Sequence, residues 1–277
     1  MYRIVGKDKL NNSVERMVVH APFVARKCMP GQFVMIRVND GGERIPLTIA
    51  DYNRAEETVT IIYQTVGYST GLLAAKEVGD TISDFAGPLG QPVEEKAHRR
   101  VLGIGGGVGA APLYPQLRMM QEHGATVDVV LGGRSAEFVI LEDDFSGFCD
   151  HVHVATNDGS AGVQGFVTDV LKQLLAQGNE YDEIICIGPL PMMKAVVSIT
   201  KPLGIPTAVS LNPIMIDGTG MCGGCRVSIG GETKFACVDG PDFDGWLVDF
   251  DECIRRQGMY KDMEEHVCSI GWESSSQ

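Results

Sequence analysis

The sequence predicts an antiparallel β domain, barrel or sandwich, followed by a doubly wound parallel α/β domain and a short segment that belongs to neither. Three observations carry this. Short β-rich runs divided by turn clusters recur at a spacing of about ten residues over the first third. After Lys96-Ala97-His98-Arg99-Arg100 the pattern changes to strands alternating with helices. From Asn212 it dissolves into a Gly/Cys loop. The expected division is therefore 1–97, 98–211 and 212–277.

In the first division the expected strands are Tyr2 to Val5, Glu15 to His20, Gln32 to Val38, Thr48 to Asp51, Val59 to Gln64 and Thr81 to Phe85. Thr70 to Glu77 is the one stretch there with a helical pattern. Turn clusters such as Asn39-Asp40-Gly41-Gly42 and Gly87-Pro88-Leu89-Gly90 separate the runs. In the second division, strands at Val101 to Ile104, Thr126 to Leu131, Val152 to Thr156, Glu183 to Ile187 and Thr207 to Leu211 alternate with helices. Those helices are Ala110 to His123, Gly165 to Leu175 and Pro191 to Thr200. The last division holds a hairpin across Gly230-Gly231 and a helix near Val248 to Gly258.

Composition narrows the class. The 277 residues are 44% hydrophobic and 21% charged, and 23 basic against 36 acidic residues leave a net charge of −13. That balance, with no Lys/Arg cluster, argues against nucleic acid or an anionic membrane as partner. No run approaches the ~18 apolar residues of a membrane helix, and the first residues show no signal-peptide pattern. The expectation is an acidic cytoplasmic protein. Eight cysteines in this length are too sparse for a disulfide scaffold.

Gly103-Ile104-Gly105-Gly106-Gly107-Val108-Gly109-Ala110 joins a strand to a helix, and from Gly105 it satisfies G-x-G-x-x-A. Glycines there let backbone N–H groups and a helix N-terminus approach a pyrophosphate; the plain alternative is a tight βα turn. The second strand departs from the standard dinucleotide unit. It ends in Gly132-Gly133-Arg134 with no acidic residue at its tip, and Asp128 lies inside the strand.

Cys222-Gly223-Gly224-Cys225, with Cys237 returning from the hairpin, is the second motif. Were Asp217 a cysteine, the pattern would be the plant-type [2Fe–2S] spacing. Three readings compete. They are a [2Fe–2S] cluster with Asp217 as fourth ligand, a zinc site completed by Cys253, Cys268 or His266, and a redox dithiol. Cys28 and Cys149 stand alone and read as packing residues.

Several blocks, in order, resemble the ferredoxin–NADP reductase type, in which a flavin-binding barrel precedes a nicotinamide domain. Arg44-Ile45-Pro46-Leu47-Thr48 resembles its R-x-[YF]-[ST] flavin motif, with Pro46-Leu47 departing at the aromatic position. Gly67-Tyr68-Ser69-Thr70 looks like its flavin-pyrophosphate turn, and Gly87-Pro88-Leu89-Gly90 like its barrel-closing loop. Cys186-Ile187-Gly188-Pro189 with Met192 resembles its C-G-P-x-x-M block near the nicotinamide. The resemblance implies FAD on Arg44, Pro46, Leu47, Thr48, Gly67, Ser69, Thr70 and Gly87. It implies NAD(H) on Gly105, Gly106, Gly107, Val108, Gly109, Cys186, Gly188, Pro189 and Met192. Asp158, after the third strand, joins these as a candidate contact. Arg134 could meet a 2′-phosphate, the adenosine or solvent; the resemblance favours NAD(H).

The order of flavin barrel, nicotinamide domain and iron–sulfur loop is similar to the electron-transfer subunits of dihydroorotate and sulfide dehydrogenases. The aspartate at 217 resembles the branch formed by small subunits of bifurcating NADH-dependent ferredoxin:NADP oxidoreductases. That branch implies metal ligands Asp217, Cys222, Cys225 and Cys237. It also implies a larger flavin and [4Fe–4S] partner in a heterodimer, through which ferredoxin is reached indirectly. A dihydroorotate or sulfide dehydrogenase subunit remains the alternative, and a zinc-stapled nucleotide-binding module the distant one.

Overall fold

The computed structural model describes residues 1–259. Cys268, His266 and the serine-rich tail lie outside the described residues.

The first sheet is antiparallel: β1 (Tyr2–Lys9), β2 (Val14–His20), β3 (Phe33–Arg37), β4 (Arg44–Asn53), β5 (Thr58–Gln64), β6 (Thr81–Ile82) and β7 (Asp84–Leu89). Their order is β6-β1-β2-β5-β4-β3-β7. Consecutive strands β6 and β7 stand at the two edges, so the sheet curls into a nearly closed barrel around Ile4, Met17, Val19, Ile36, Ile61 and Phe85. Two helices accompany it, α1 (Pro22–Lys27) and α2 (Tyr68–Ala74). The sequence reading missed α1. Its signal is Pro22 at the first helical position, where proline's missing N–H costs nothing.

The second sheet comprises β8 (Arg100–Gly106), β9 (Thr126–Gly133), β10 (His151–Thr156), β11 (Val163–Gln164), β12 (Glu183–Ile187) and β13 (Thr207–Ser210), all parallel. Helices α3 (Ala110–Glu122), α5 (Val167–Ala176) and α6 (Leu190–Thr200) cover its faces, and short α4 (Glu142–Ser146) leads into β10. Helix α5 buries Val167, Val170, Leu171 and Leu174, the i, i+3, i+4, i+7 spacing of one face. The Asp169 carboxylate accepts the Phe166 N–H at 2.9 Å and closes its first turn. Strand order runs β11-β10-β9-β8-β12-β13. The chain builds outward from β8 in one direction and then resumes at β12 on the other side. Between β8 and β12 lies the switch point where such sheets open a crevice.

The third segment contains the hairpin β14 (Arg226–Ile229) and β15 (Glu232–Phe235), strand β16 (Asp242–Asp244) and α7 (Phe250–Gln257). It is not a detached appendix. Strand β16, which the sequence reading did not anticipate, pairs antiparallel with β13 and extends the nucleotide-domain sheet. Gln91, just after the barrel, donates its side-chain amide to the Val238 carbonyl and its backbone N–H to Gly240, both at 2.7 Å. The barrel and α3 are joined by Arg118, which donates to Asp51 at 2.7 Å, and by Val14, Ala50 and Ile62 in one apolar cluster with Leu113 and Leu117.

Candidate functional site

A cavity of about 980 Å³ opens at the carboxyl ends of β8 and β12 and is closed on its other side by the barrel. That is the upper end of the usual range for one small-molecule site, about 300–1,000 Å³. The barrel contributes Pro46, Leu47 and Thr48 from β4 and Thr70 from α2. The nucleotide domain contributes Gly106, Gly107, Val108, Gly109 and Arg134, the turn after β12 adds Gly188 and Pro189, and the first turn of α6 adds Met192. Three sequence blocks, within 46–70, 106–134 and 188–192, thus meet on one wall.

The glycine loop has the form a phosphate requires. Gly107 stands at φ +55°, with nothing within 4 Å of the place a Cβ would take. Its backbone can therefore be approached closely, and α3 begins three residues later. Gly105 serves packing instead: a Cβ there would meet Ala110 Cα at 3.1 Å and Leu113 at 3.2 Å. Thr70, at the third position of α2, accepts the Gly67 N–H at 3.0 Å, so its hydroxyl holds the turn that brings it to the wall.

Other candidates lie off the cavity wall. Arg44 pairs with Asp84 at 3.4 Å. Asp84 is held below the usual carboxylate range chiefly by Arg37. Gly67 caps α2, and Ser69 reaches Glu43 at 3.5 Å. Gly87 lies in β7, where a Cβ would meet Val34 at 2.8 Å. The Asp158 carboxylate is taken up by the N–H and hydroxyl of Ser160. Cys186 is fully buried in the core beneath the sheet, and burial raises its thiol pKa. Asp128, also fully buried, accepts from Arg100 at 2.6 Å and Tyr181 at 3.0 Å and contacts His151 at 2.8 Å. It cannot reach a ribose, in keeping with the missing acid at the tip of β9.

The second site lies in the loop after Asn212. The sulfurs of Cys225 and Cys237 are 3.2 Å apart and both residues are buried, while Cys222 is exposed. Asp217 accepts the N–H of Thr219 at 2.8 Å and of Cys222 at 2.9 Å, which ties the first two candidate ligands together. Those bonds hold its carboxyl low. Burial, then the neighbouring Cys225 thiol, push Cys237 up to about 12. Among the described residues no three His, Cys, Asp or Glu side chains are drawn together at metal-ligand spacing. The loop supplies two converged thiols and, on the same turn, a third thiol and a carboxylate. This donor chemistry fits an iron–sulfur centre, whose positive iron favours thiolates. Gly218, at φ +77°, lets the loop press on the barrel, since a Cβ there would meet Met35 at 2.7 Å. Cys253 is buried on α7.

What the sequence reading missed is the layer joining the two sites. Phe33 and Met35 of β3 share one apolar cluster with Met215, Cys225 and Cys237. Phe33 and Met215 also line the large cavity. One layer of side chains therefore separates cavity from thiols. Nothing in the local pattern of β3 marks Phe33 for this place. Asn11, Gln64, Asn157 and Thr168 add polar groups to the cavity wall and likewise carry no sequence signal.

Residues 104–198 match the oxidoreductase NAD-binding domain. Residues 212–249 match the iron–sulfur cluster binding domain of dihydroorotate dehydrogenase B. A Thermotoga maritima homolog of the electron transfer subunit of dihydroorotate dehydrogenase B (NAD(+)) is 45% identical over 262 residues, 95% of this chain and 92% of that one. The chain belongs to the dihydroorotate dehydrogenase B electron-transfer subunit family. The Fusobacterium nucleatum electron transfer subunit is 37% identical over 235 residues, 82% of this chain and 89% of the relative. Among solved structures, one described under flavin-based electron bifurcation by the NADH-dependent reduced ferredoxin-NADP oxidoreductase matches with TM-score 0.93 and 42% identity. The match spans 100% of this chain and 98% of that one. This electron-transfer subunit is thus an oxidoreductase component with a reductase-type flavin barrel, an NAD-binding domain and an iron–sulfur domain. No helix among its described residues is long and apolar enough to cross a membrane.

Proposed function

We propose that the chain is the small, electron-transfer subunit of a bifurcating NADH-dependent ferredoxin:NADP oxidoreductase. It passes electrons between NAD(H), FAD and a [2Fe–2S] cluster to a larger flavin and [4Fe–4S] subunit, and through that complex to ferredoxin. The observation that carries this is the shared apolar layer of Phe33 and Met215, which places a nucleotide cavity directly against the Cys225–Cys237 pair. Full-length similarity to the bifurcating enzyme's chain, at 42% identity, supports it. So does the resemblance, on Asp217, to the bifurcating branch.

The residues divide the work. Pro46, Leu47 and Thr48 form the bed for the flavin ring, with Thr48 offering a hydroxyl, while Thr70, anchored by the Gly67 turn behind it, faces its phosphates. Gly106 to Gly109 and the start of α3 receive the nicotinamide dinucleotide's pyrophosphate. Gly188, Pro189 and Met192 bound the nicotinamide end, and Arg134 borders the adenosine end. Asp217, Cys222, Cys225 and Cys237 hold the cluster. Once bound, these cofactors supply hydride exchange and single-electron relay. The protein contributes orientation and exclusion of water, and the geometry calls for no acid–base dyad. The reading places the chain in the reducing cytoplasm, where thiols remain available as cluster ligands.

The test is an absorption spectrum with iron, sulfide and flavin analysis on anaerobically purified protein. Flavin and acid-labile sulfide together are expected; flavin without iron would sink the relay, and zinc without sulfide would favour a structural site. The similarity to dihydroorotate dehydrogenase subunits supports a second reading, in which the purified complex oxidises dihydroorotate. Isolation of the native complex and assay with each substrate separates the two.

A further inference from the structure

Two arginines outside the C-x-x-C loop grip consecutive carbonyls inside it. Arg226 Nη1 donates to the Gly223 carbonyl at 3.3 Å. Arg256 Nη2 donates to the Gly224 carbonyl at 3.1 Å. The grips come from different elements, since Arg226 opens β14 and Arg256 sits in the last turn of α7. Helix α7 is itself well held. The Asp249 carboxylate caps it by accepting the Glu252 N–H at 2.8 Å, Lys194 of α6 pairs with Asp251 at 2.6 Å, and Phe250 and Cys253 enter the core. Arg256 is half-buried beside a cavity of about 30 Å³ that Gly224, Arg226 and Cys253 also border. Its guanidinium is therefore presented at a defined place, partly shielded from water.

Peptide planarity gives these contacts a consequence. In a trans peptide the carbonyl and the following N–H point in opposite directions. With the Gly223 carbonyl held by Arg226, the Gly224 N–H must face the other way, and it does: it donates to Cys222 Sγ at 3.4 Å. By the same geometry, Arg256 on the Gly224 carbonyl turns the Cys225 N–H away from α7. Glycine at 223 and 224 leaves both peptides free to rotate, so without an external grip nothing local would set their direction.

We propose that Arg226 and Arg256 are positioning residues for the [2Fe–2S] cluster: they clamp the loop carbonyls, aim the intervening amides at cysteine sulfur and so raise the cluster's reduction potential. The inference rests on the cluster reading given above. Hydrogen bonds to sulfur and a nearby positive charge both favour the state carrying the extra electron. A guanidinium keeps its charge at any working pH, and its planar fork grips an acceptor in a way that a lysine ammonium cannot copy.

The experiment uses the full chain with its larger subunit, purified anaerobically, as wild type and as Arg256→Gln, Arg256→Lys and Arg226→Gln. Iron and sulfide are counted, and the cluster midpoint is read by EPR-monitored redox titration. Arg256→Gln is expected to lower the one-electron reduction equilibrium about tenfold, a midpoint shift of about 59 mV. Arg256→Lys should recover part of that shift, and Arg226→Gln should move the midpoint in the same direction. Unchanged midpoints in every cluster-bearing variant overturn the proposal. If the glutamine variants retain no cluster, Arg256→Lys decides, with a lowered midpoint supporting the clamp and a wild-type midpoint overturning it. Cluster loss from all three also overturns it, because the arginines then serve loop folding alone. A wild type without iron or sulfide refutes the cluster reading itself, whereas a wild-type cluster with unmoved variants refutes only the arginine role.

Discussion

The side-chain amide of Gln116 donates to Asp242 Oδ2 at 2.9 Å, joining helix α3 of the nucleotide domain to strand β16 of the cluster segment. The other carboxylate oxygen, Oδ1, is shielded from solvent and accepts no hydrogen bond from the described residues. Gly31 of the barrel also lies against it, since a Cβ at Gly31 would meet Oδ2 at 3.3 Å. One carboxyl group therefore sits where all three segments meet.

Burial raises Asp242 from its ordinary 3.8 to about 6, against the opposing effect of the hydrogen bond from Gln116. The folded state thus binds this proton more tightly than the unfolded state. Its contribution to stability is complete below the ordinary value and is lost as pH rises through about 6. Asp242→Asn removes the titration while keeping the shape. Relative to wild type it should be more stable at pH 8 by about 3 kcal/mol, with the difference falling below about 1 kcal/mol near pH 4. Denaturant unfolding of both proteins at the two pH values measures this. A constant difference across pH would show that Asp242 is not the titrating group.

Gly109 has no room for a side chain. A Cβ there would overlap the Ile187 carbonyl and lie 2.7 Å from the Ile187 carbonyl carbon, both backbone atoms that cannot swing aside. Gly109→Ala must therefore part the glycine loop from the end of β12. NADH affinity should fall by at least about tenfold, about 1.4 kcal/mol, with flavin content nearly unchanged. Titration of flavin absorbance with NADH measures both, and wild-type affinity would place the nucleotide elsewhere.

Asp217→Cys replaces a hard carboxylate by a thiolate at the proposed fourth ligand. The cluster should be retained with an altered midpoint potential and EPR spectrum, because thiolate donates more charge to iron. Identical potentials in both forms would argue that Asp217 does not ligate. Its two backbone hydrogen bonds, to Thr219 and Cys222, would then be its whole role.

Cys186 is fully buried among Ile104, Leu190 and Met193 rather than on the cavity wall. Cys186→Ala should cost about 1 kcal/mol of stability through the lost sulfur contacts and leave NADH affinity at the wild-type value. A drop in affinity comparable to that of Gly109→Ala would restore the nicotinamide role that the C-G-P-x-x-M resemblance implies.

Much of the architecture was legible in the sequence. The parallel domain announced itself because strands buried on both faces read as continuous apolar runs, as in Ile184-Ile185-Cys186-Ile187, and helices as a repeating face, as in α5. Most barrel strands followed from their turn residues, but the expected strand Thr81 to Phe85 divides between β6 and β7, and Gly87-Pro88-Leu89, expected as a turn, lies in β7, because the chain there crosses from one sheet edge to the other. Illegible elements were the short ones: α1 and α4 are too brief to show a period, and β16 is three residues long and exists through its pairing with β13.

By itself the sequence determined the chemistry on offer: a glycine loop between strand and helix, three cysteines and an aspartate at cluster spacing, and a barrel with flavin-type turns. Those are local properties, set by backbone freedom and donor type within a few residues. Tertiary structure alone decided which candidates reach the cavity, placing Thr48 and Gly107 on its wall and Cys186 in the core. It also decided that Phe33 and Met215 stand between cavity and thiols and that Arg226 and Arg256 hold the cluster loop. The physical reason is distance along the chain. Phe33 and Cys225 pack together only because barrel, parallel sheet and hairpin bury their surfaces against one another, and no periodicity or spacing records that.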